Sequence, residues 1–565
     1  MAVATTNTAA GNTRRVFTIE AGTPSVMFVD APSKIAMTAD CEQRNRAAFF
    51  SLKSTRLGVA CLMCYSMTAM ALMRTNLAVA LVCMVNSSVL LEQNSQLFPQ
   101  ESLNNSLDRS QDNFVSRGRE RTCQLAPEVQ SEYNGELNWT STQISLIFSA
   151  IFWGGLVTGV FSGWLADRYG PKNILLAACV IHVIGSFLTP TIAVRVGFYG
   201  MIGIRFIMGL GQGVTIPCMG ALIARWFPSA ERSTAIAIYT TGNQLGTMIA
   251  NPVGALLCGT ESFFGGWPAI FYVFGTIGVV WCVCWSWTVS NSPENNRLIS
   301  NNELMYLQQE LKSQSLQNRK VATQHVPWAK MFRSGPILAQ MTMNAAAACF
   351  MSVYQSYLPI YFMQVLALNL KQNGLLSALP FFVQMVVKMF VSRLSDRFQR
   401  RDNQPKSTTL CKVFNSIGAF GSALCLVAIS FLDCRQVSMA VFLTCASFAA
   451  FANFAPGFLT SQISIAPVYS GIVSSFSRVC AQVGQIAAPS IVGYFVVEGT
   501  RREWQYVQLI LAAFMTAGGI VFFIFGSAEI QPWAMTPNET QVALAEDESD
   551  GDIDDSVIGD DPEKY

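Results

Sequence analysis

The chain reads as an all-α membrane protein with twelve transmembrane helices in two six-helix bundles. Three observations carry that reading. Twelve apolar runs recur along the 565 residues, each about the 20 residues that a helix needs to cross the hydrocarbon core, or longer. The composition is 51% hydrophobic and 13% charged, where a soluble chain carries about 25% charged residues. A short Asp-Arg motif follows the second run and returns after the eighth, which marks two related halves. Runs this long exclude a β-barrel, whose strands alternate over about 10 residues.

The expected spans are 57–86, 142–165, 173–192, 198–224, 233–258, 268–290, 336–366, 372–392, 409–432, 437–459, 470–497 and 504–527. Residues 1–56 before them are polar and mixed in charge, with no short apolar core at the start. The first span is therefore expected to act as the insertion signal, its tail held in the cytosol. Lys and Arg gather in that tail, again at 291–335, and again at 393–412. All three fall on one side of the membrane, so both termini are expected to face the cytosol.

The first long connection, 87–141, is acidic and lies on the opposite side. Its sequon at Asn104 is a candidate glycosylation site. Cys123, Cys258 and Cys434 are the cysteines expected on that side, with no spacing framework for disulfides. Segments 57–290 and 336–527 form the two bundles. Between them, 291–335 opens with Ser300 and Glu303 as a capping box, then Leu304, Leu307 and Leu311 at helical spacing. An amphipathic helix on the cytosolic face is expected there. The tail 528–565 is acidic and expected to be solvated.

The repeated motif is Gly163-Trp164-Leu165-Ala166-Asp167-Arg168-Tyr169-Gly170-Pro171-Lys172, answered by Asp396-Arg397 in the second half. Loop charge alone explains Arg168, Lys172 and Arg397. It does not explain Asp167, Asp396, Gly163 and Gly170 at this spacing. The expectation is a cytosolic gate in which glycine lets the second helix approach the other half.

No carboxylate falls in any span, whereas Arg74, Arg205, Lys388 and Arg478 lie inside them. Lys412, at the rim of the ninth span, groups with the loop before it. A charge near the bilayer centre costs several kcal/mol, so such residues mark function. A set of one sign points to small anions as cargo. A guanidinium presents a fork that matches carboxylate or phosphate. Arg205 is the expected anchor, with Arg74 as a second or gating cation or else bonded to backbone carbonyls. Gln212 is two turns beyond Arg205, and Asn76, Asn243, Gln244, Asn344, Tyr354 and Tyr357 are further polar candidates. Lys388 suits snorkelling to the interface, and Arg478 an inner anion vestibule.

An enzyme is disfavoured. The two histidines, His182 and His325, stand apart, and no metal-ligand cluster or intramembrane acid pair is present. No cofactor is expected. The expected partners are a small anion and the lipid bilayer, with no nucleic acid. Without intramembrane acids, sodium or the membrane potential is the expected drive rather than a protein-borne proton.

Several segments together resemble the major facilitator superfamily, and within it the organic-anion group of sialin, vesicular glutamate transporters and type I sodium–phosphate cotransporters. The resemblance covers roughly 57–535. Carrying it are Arg74-Thr75-Asn76-Leu77, Arg205 with Gly209-Leu210-Gly211-Gln212-Gly213, Glu231-Arg232-Ser233, Gln244-Leu245-Gly246-Thr247, Asn373-Gly374-Leu375-Leu376-Ser377 and Ile465-Ala466-Pro467. It implies secondary transport by alternating access in a plasma, vesicular or lysosomal membrane. A transport-inactive sensor with the same fold is the alternative. Sialin-like members place a glutamate at the position of Gln212, sialin has another near that of Met208, and the family often has an aspartate at Ser464. All three are absent here, and glutamine at position 212 resembles the sodium–phosphate type.

Overall fold

The computed structural model describes residues 5–7, 14–16, 54–85, 135–259, 266–309, 327–399, 407–466 and 469–534. Twelve long helical segments run through the described residues. They are α1 (Thr55–Met84), α2 (Ser141–Tyr169), α3 (Pro171–Arg195), α4 (Phe198–Trp226), α5 (Ser229–Cys258), α6 (Trp267–Thr288), α7 (Gly335–Gln364), α8 (Leu370–Gln399), α9 (Ser407–Ser430), α10 (Val437–Phe451 and its continuation), α11 (Ser470–Phe495) and α12 (Arg501–Phe525). Ten of them, all but α5 and α11, are long and apolar enough to cross a membrane. A two-stranded pair, Thr5–Asn7 with Arg14–Val16, is the β structure among the described residues.

Local chemistry sets the helix ends. Thr140 Oγ1 accepts from the Gln143 N–H at 3.2 Å while Gln143 Oε1 accepts from the Thr140 N–H at 3.1 Å, starting α2. Thr500 and Glu503 form the same box at the start of α12. Gly170 at φ 82° turns the chain between α2 and α3, a conformation that L side chains avoid. Its place is also crowded, since a Cβ there would meet the Asn291 amide at 2.7 Å.

The two halves repeat each other's packing. α1 lies on α5 as α7 lies on α11; α2 lies on α4 as α8 lies on α10; α3 lies on α6 as α9 lies on α12. The halves meet through α2 against α11, α5 against α8 and α1 against α7. Small residues permit the tight crossings, which in lipid depend on packing rather than on hydrophobic exclusion. A Cβ on Gly154 or Gly209 would run into the other helix's backbone where α2 crosses α4.

Five features differ from the sequence-based expectation. α10 is broken: Ala452–Phe454 tightens to a 3₁₀ turn, Ala455–Leu459 widens to a π turn, and Thr460–Ser464 resumes as α-helix. Pro456 lacks an N–H and its ring opposes the preceding turn, and Gly457 leaves helical geometry at ψ −118°. Glu303 does not cap its own helix (301–309), although Ser300 Oγ does accept from the Glu303 N–H at 3.3 Å. The Glu303 carboxylate instead caps α1. It accepts from Ser54 Oγ at 2.9 Å, the Thr55 N–H at 3.0 Å and Arg56 Nε at 2.8 Å.

Arg56, grouped by sequence with the loop charges, is fully buried and ion-paired with both Glu231 and Glu303. Cys258 is bonded not to another loop cysteine but to Cys83 at the end of α1. Cys434 is also disulfide-bonded. Past α12, residues 527–534 fold back. The Gln531 N–H donates to Ile465 O at 2.9 Å and Trp533 stacks on Tyr469. Asn104 lies outside the described residues.

Candidate substrate site

A cavity of about 330 Å³ opens between the halves near the middle of the bundle. Its lining positions fall from mid-helix toward the end that carries the termini, hereafter the terminus end; the other is the loop end. α1 contributes Arg74, α3 His182, α4 Gln212, α5 Tyr239, Asn243 and Gln244, α8 Lys388, and α11 Arg478. Among the described residues no carboxylate lines it.

Arg74 spans the two halves. Its Nη2 donates to Asn243 Oδ1 on α5 at 3.0 Å and to Gln355 Oε1 on α7 at 2.7 Å. Lys388 Nζ reaches Thr240 Oγ1 on α5 at 3.3 Å, so it faces the opposite half rather than snorkelling to the interface. Arg478 borders the cavity with no hydrogen-bond or ion-pair partner among the described residues. His182 Nδ1 lies 2.9 Å from Ala178 O, which leaves its other ring nitrogen uncommitted. Three cavity amides, Gln212, Gln244 and Gln485, have buried side-chain oxygens with no protein partner.

Arg205 is not in this cavity. It is 2% exposed and lines a separate enclosed pocket of about 20 Å³ on the loop side, together with Thr75, Phe148, Gln355 and Ser356. Arg74 lines both spaces. Asn76 does not touch the main cavity either. It accepts from Arg205 Nη2 at 3.2 Å and donates to Ser186 Oγ at 3.3 Å, so its amide positions the guanidinium. Arg205 Nε has no protein partner. Tyr354 faces away from the cavity, its hydroxyl donating to Gln508 of α12 at 2.9 Å.

The loop end is closed by contacts between the halves. Ser141 Oγ donates to Val497 O at 3.3 Å, Asn251 Nδ2 to Ser377 O at 3.1 Å, and the Phe148 and Tyr357 rings lie 4.8 Å apart. Gly493 of α11 packs directly on Ser145 of α2. At the terminus end no hydrogen bond or ion pair of Arg168, Lys172 or Arg397 crosses between the halves among the described residues. A Cβ on Gly163 would meet nothing within 4 Å, so the close approach expected there is absent. Lys172 is held within its own half: its Nζ donates to Ser286 O at 3.1 Å and its N–H to Asn291 Oδ1 at 2.9 Å. Arg168 and Arg397 are exposed, and the side chains of Asp167 and Asp396 lie outside the described residues.

Sequence reasoning missed two parts of the lining. Gln355 recurs with Asn344, Ala348 and Met351 at helical spacing on α7, a stripe that could have been found. Phe451, Phe454 and Phe458 line the α10 side and carry no polar signal.

The model of the Major Facilitator Superfamily matches residues 64–489. Human sialin is 30% identical over 492 residues, covering 85% of this chain and 91% of sialin. Human vesicular glutamate transporter 2 is 30% identical, covering 75% of this chain and 72% of its own. A Drosophila melanogaster protein named as a candidate inorganic phosphate cotransporter is 30% identical, covering 86% and 88%. Among solved structures, the inward open xylose transporter of E. coli superposes with a TM-score of 0.58 at 14% identity, over 86% of this chain and 99% of that one. A bacterial homologue of the lysosomal transporter Spinster gives 0.55 at 13%, over 85% and 99%. These two show the fold alone. With the paired halves, the central cavity and these relatives together, the chain belongs to the major facilitator superfamily, among the transporters related to sialin, vesicular glutamate transporters and phosphate cotransporters.

Proposed function

We propose that the protein carries small anions across a membrane by alternating access, with Arg478 and Arg74 holding the anion when the cavity faces the terminus end. One observation supports this best. Helices of both halves bring Arg74, Lys388 and Arg478 to one cavity that, among the described residues, no carboxylate lines. An unpaired cation at this depth is costly unless a ligand neutralises it. Arg205 stands behind Arg74 in the enclosed pocket and becomes the anchor when the loop end opens. Gln212 binds or orients the anion. Gly163, Asp167, Arg168, Gly170, Lys172, Asp396 and Arg397 form the terminus-end latch in the opposite state. The terminus end faces the cytosol, in keeping with its Lys and Arg. Sodium or the membrane potential supplies the drive, because the cavity's described lining holds no acid to carry a proton.

The test is uptake of labelled phosphate and glutamate into proteoliposomes, with sodium gradient and potential imposed separately. Uptake that needs either gradient supports the reading. Uptake that follows an imposed pH gradient with sodium absent and potential clamped overturns the coupling. Anion binding without flux makes the protein a sensor instead.

A further inference from the structure

α12 packs on α9 and α7, and none of its residues lines the cavity. Beyond its end at Phe525 the chain runs as a strap, 527–534, to the terminus ends of three helices that do line it. Ser461 Oγ, in the last turns of α10, donates to Ser527 O. The Gln531 N–H donates to Ile465 O at 2.9 Å, and Trp533 stacks on Tyr469 at the start of α11, ring centroids 6.1 Å apart. Met341 of α7 and Ala534 belong to the same buried cluster. Each helix under this anchor reaches the cavity within three turns, at Asn344 on α7, Leu459 on α10 and Arg478 on α11. Arg478 is nine residues from Tyr469, about 14 Å along the helix. The strap thus brings the chain to the mouth of the cavity.

The segment that follows carries the charge that the mouth lacks. Residues 535–565 lie outside the described residues; their sequence holds eleven acids and one lysine, with seven of the acids within 546–555. At the terminus end, Arg168 on α2 and Arg393 and Arg397 on α8 are exposed and have no ion pair among the described residues. Asp167 and Asp396 stand beside them, with side chains outside the described residues. Arg478 borders the cavity within.

We infer that the acidic tail is a tethered competitor of the cargo: its carboxylates dock on the arginines of the mouth and withhold the cavity from the anion until they are displaced. The competition rests on the cationic cavity of the proposed function. The tether is long enough. Glu546 is twelve residues past Ala534, which gives an extended reach of about 40 Å and a flexible-chain span of about 20 Å. Both exceed the distance from the anchor to Arg478. A short tether also holds its charges at a local concentration of about 1 mM. Against an intrinsic dissociation constant of about 0.1 mM on the mouth, that suppresses cargo binding about tenfold. The attraction acts between exposed charges, so salt weakens it.

The test compares the full chain with a full-length variant whose tail acids become their amides, Glu546→Gln, Asp547→Asn and so on through all eleven of 535–565, with the strap intact. Each is held at one chain per nanodisc of zwitterionic lipid in low salt. Modification of Arg393 and Arg397 by phenylglyoxal, mapped by mass spectrometry, reports docking with no cargo present. It is expected to be several-fold slower in wild type, and the difference to vanish in about 1 M salt, where the Debye length is about 3 Å. Labelled phosphate and glutamate report the competition, and the variant is expected to bind the cargo about tenfold tighter in low salt. Equal modification rates in the two chains overturn the inference, whatever the cargo does. Protection with no change in cargo affinity also overturns it. Protection in proteoliposomes that is lost at one chain per nanodisc assigns the tail to a second copy and overturns it as well. Failure of both anions to bind either chain, with protection intact, supports the docking and removes the anion-transport reading beneath it.

Discussion

At the residue scale, the arginines have unlike commitments, and their replacements should differ accordingly. Arg478 has no partner among the described residues, so its charge is available to a ligand. A charged hydrogen bond is worth about 1.5–3 kcal/mol. Arg478→Ala should therefore weaken anion binding by roughly 10- to 150-fold while leaving the melting temperature near wild type. Arg205 is committed to Asn76 and buried. Asn76→Ala leaves that guanidinium short of an acceptor, at a cost of about 1–3 kcal/mol. A lowered melting temperature in detergent checks this; an unchanged one contradicts the positioning role. Arg205→Lys should lose most uptake, because an ammonium cannot reproduce the fork.

At the element scale, the helix at 301–309 is tied to the first half by charge. Glu303 is 5% exposed and Arg56 is fully buried beneath it. Burial works against the Glu303 carboxylate, but hydrogen bonds from Arg56, Thr55 and Ser54 outweigh it and hold its pKa below the ordinary value of 4.5. The sign follows from the depressed value. The docked helix is fully stabilised above pH 4.5 and loses that contribution as pH falls through the lower folded value. Hydrogen exchange of 301–309 should rise in Glu303→Gln at neutral pH and in wild type only in that acid range. Arg56→Ala strands two carboxylates and should cost about 3–5 kcal/mol, read as a fall in melting temperature.

Much of this scale was legible beforehand. Apolar runs mark spans because a helix must hide its backbone in lipid over a fixed length. The break in α10 was not, since Pro456 and Gly457 also occur in unbroken membrane helices. Arg56 was not, because a buried ion pair and a loop charge look alike in sequence. Among site residues, Arg74, Gln212 and Arg478 were legible as polar groups in apolar runs. The enclosure of Arg205 depends on which end of the bundle is shut, a property of conformation and not of spacing. The phenylalanines of α10 were invisible because an apolar residue in an apolar helix carries no contrast.

At the scale of the whole molecule, the loop end is closed by contacts between the halves and the cavity lies toward the terminus end, which is one state of the alternating cycle proposed above. In that proposed cycle the loop-end contacts belong to surfaces that part in the other state. Cysteines replacing Ser141 and Val497, where the Ser141 hydroxyl meets the Val497 backbone carbonyl at 3.3 Å, should stop transport when cross-linked, with activity restored by reduction. Cross-linking without effect on flux would mean the loop end need not open. The central claim is that the shared cavity carries the anion on its cations. Its most direct test is equilibrium binding and uptake of one labelled anion by wild type and Arg478→Ala, each with matched melting temperature. The account predicts that both signals fall together in the variant. Wild-type uptake by a folded Arg478→Ala protein would contradict it.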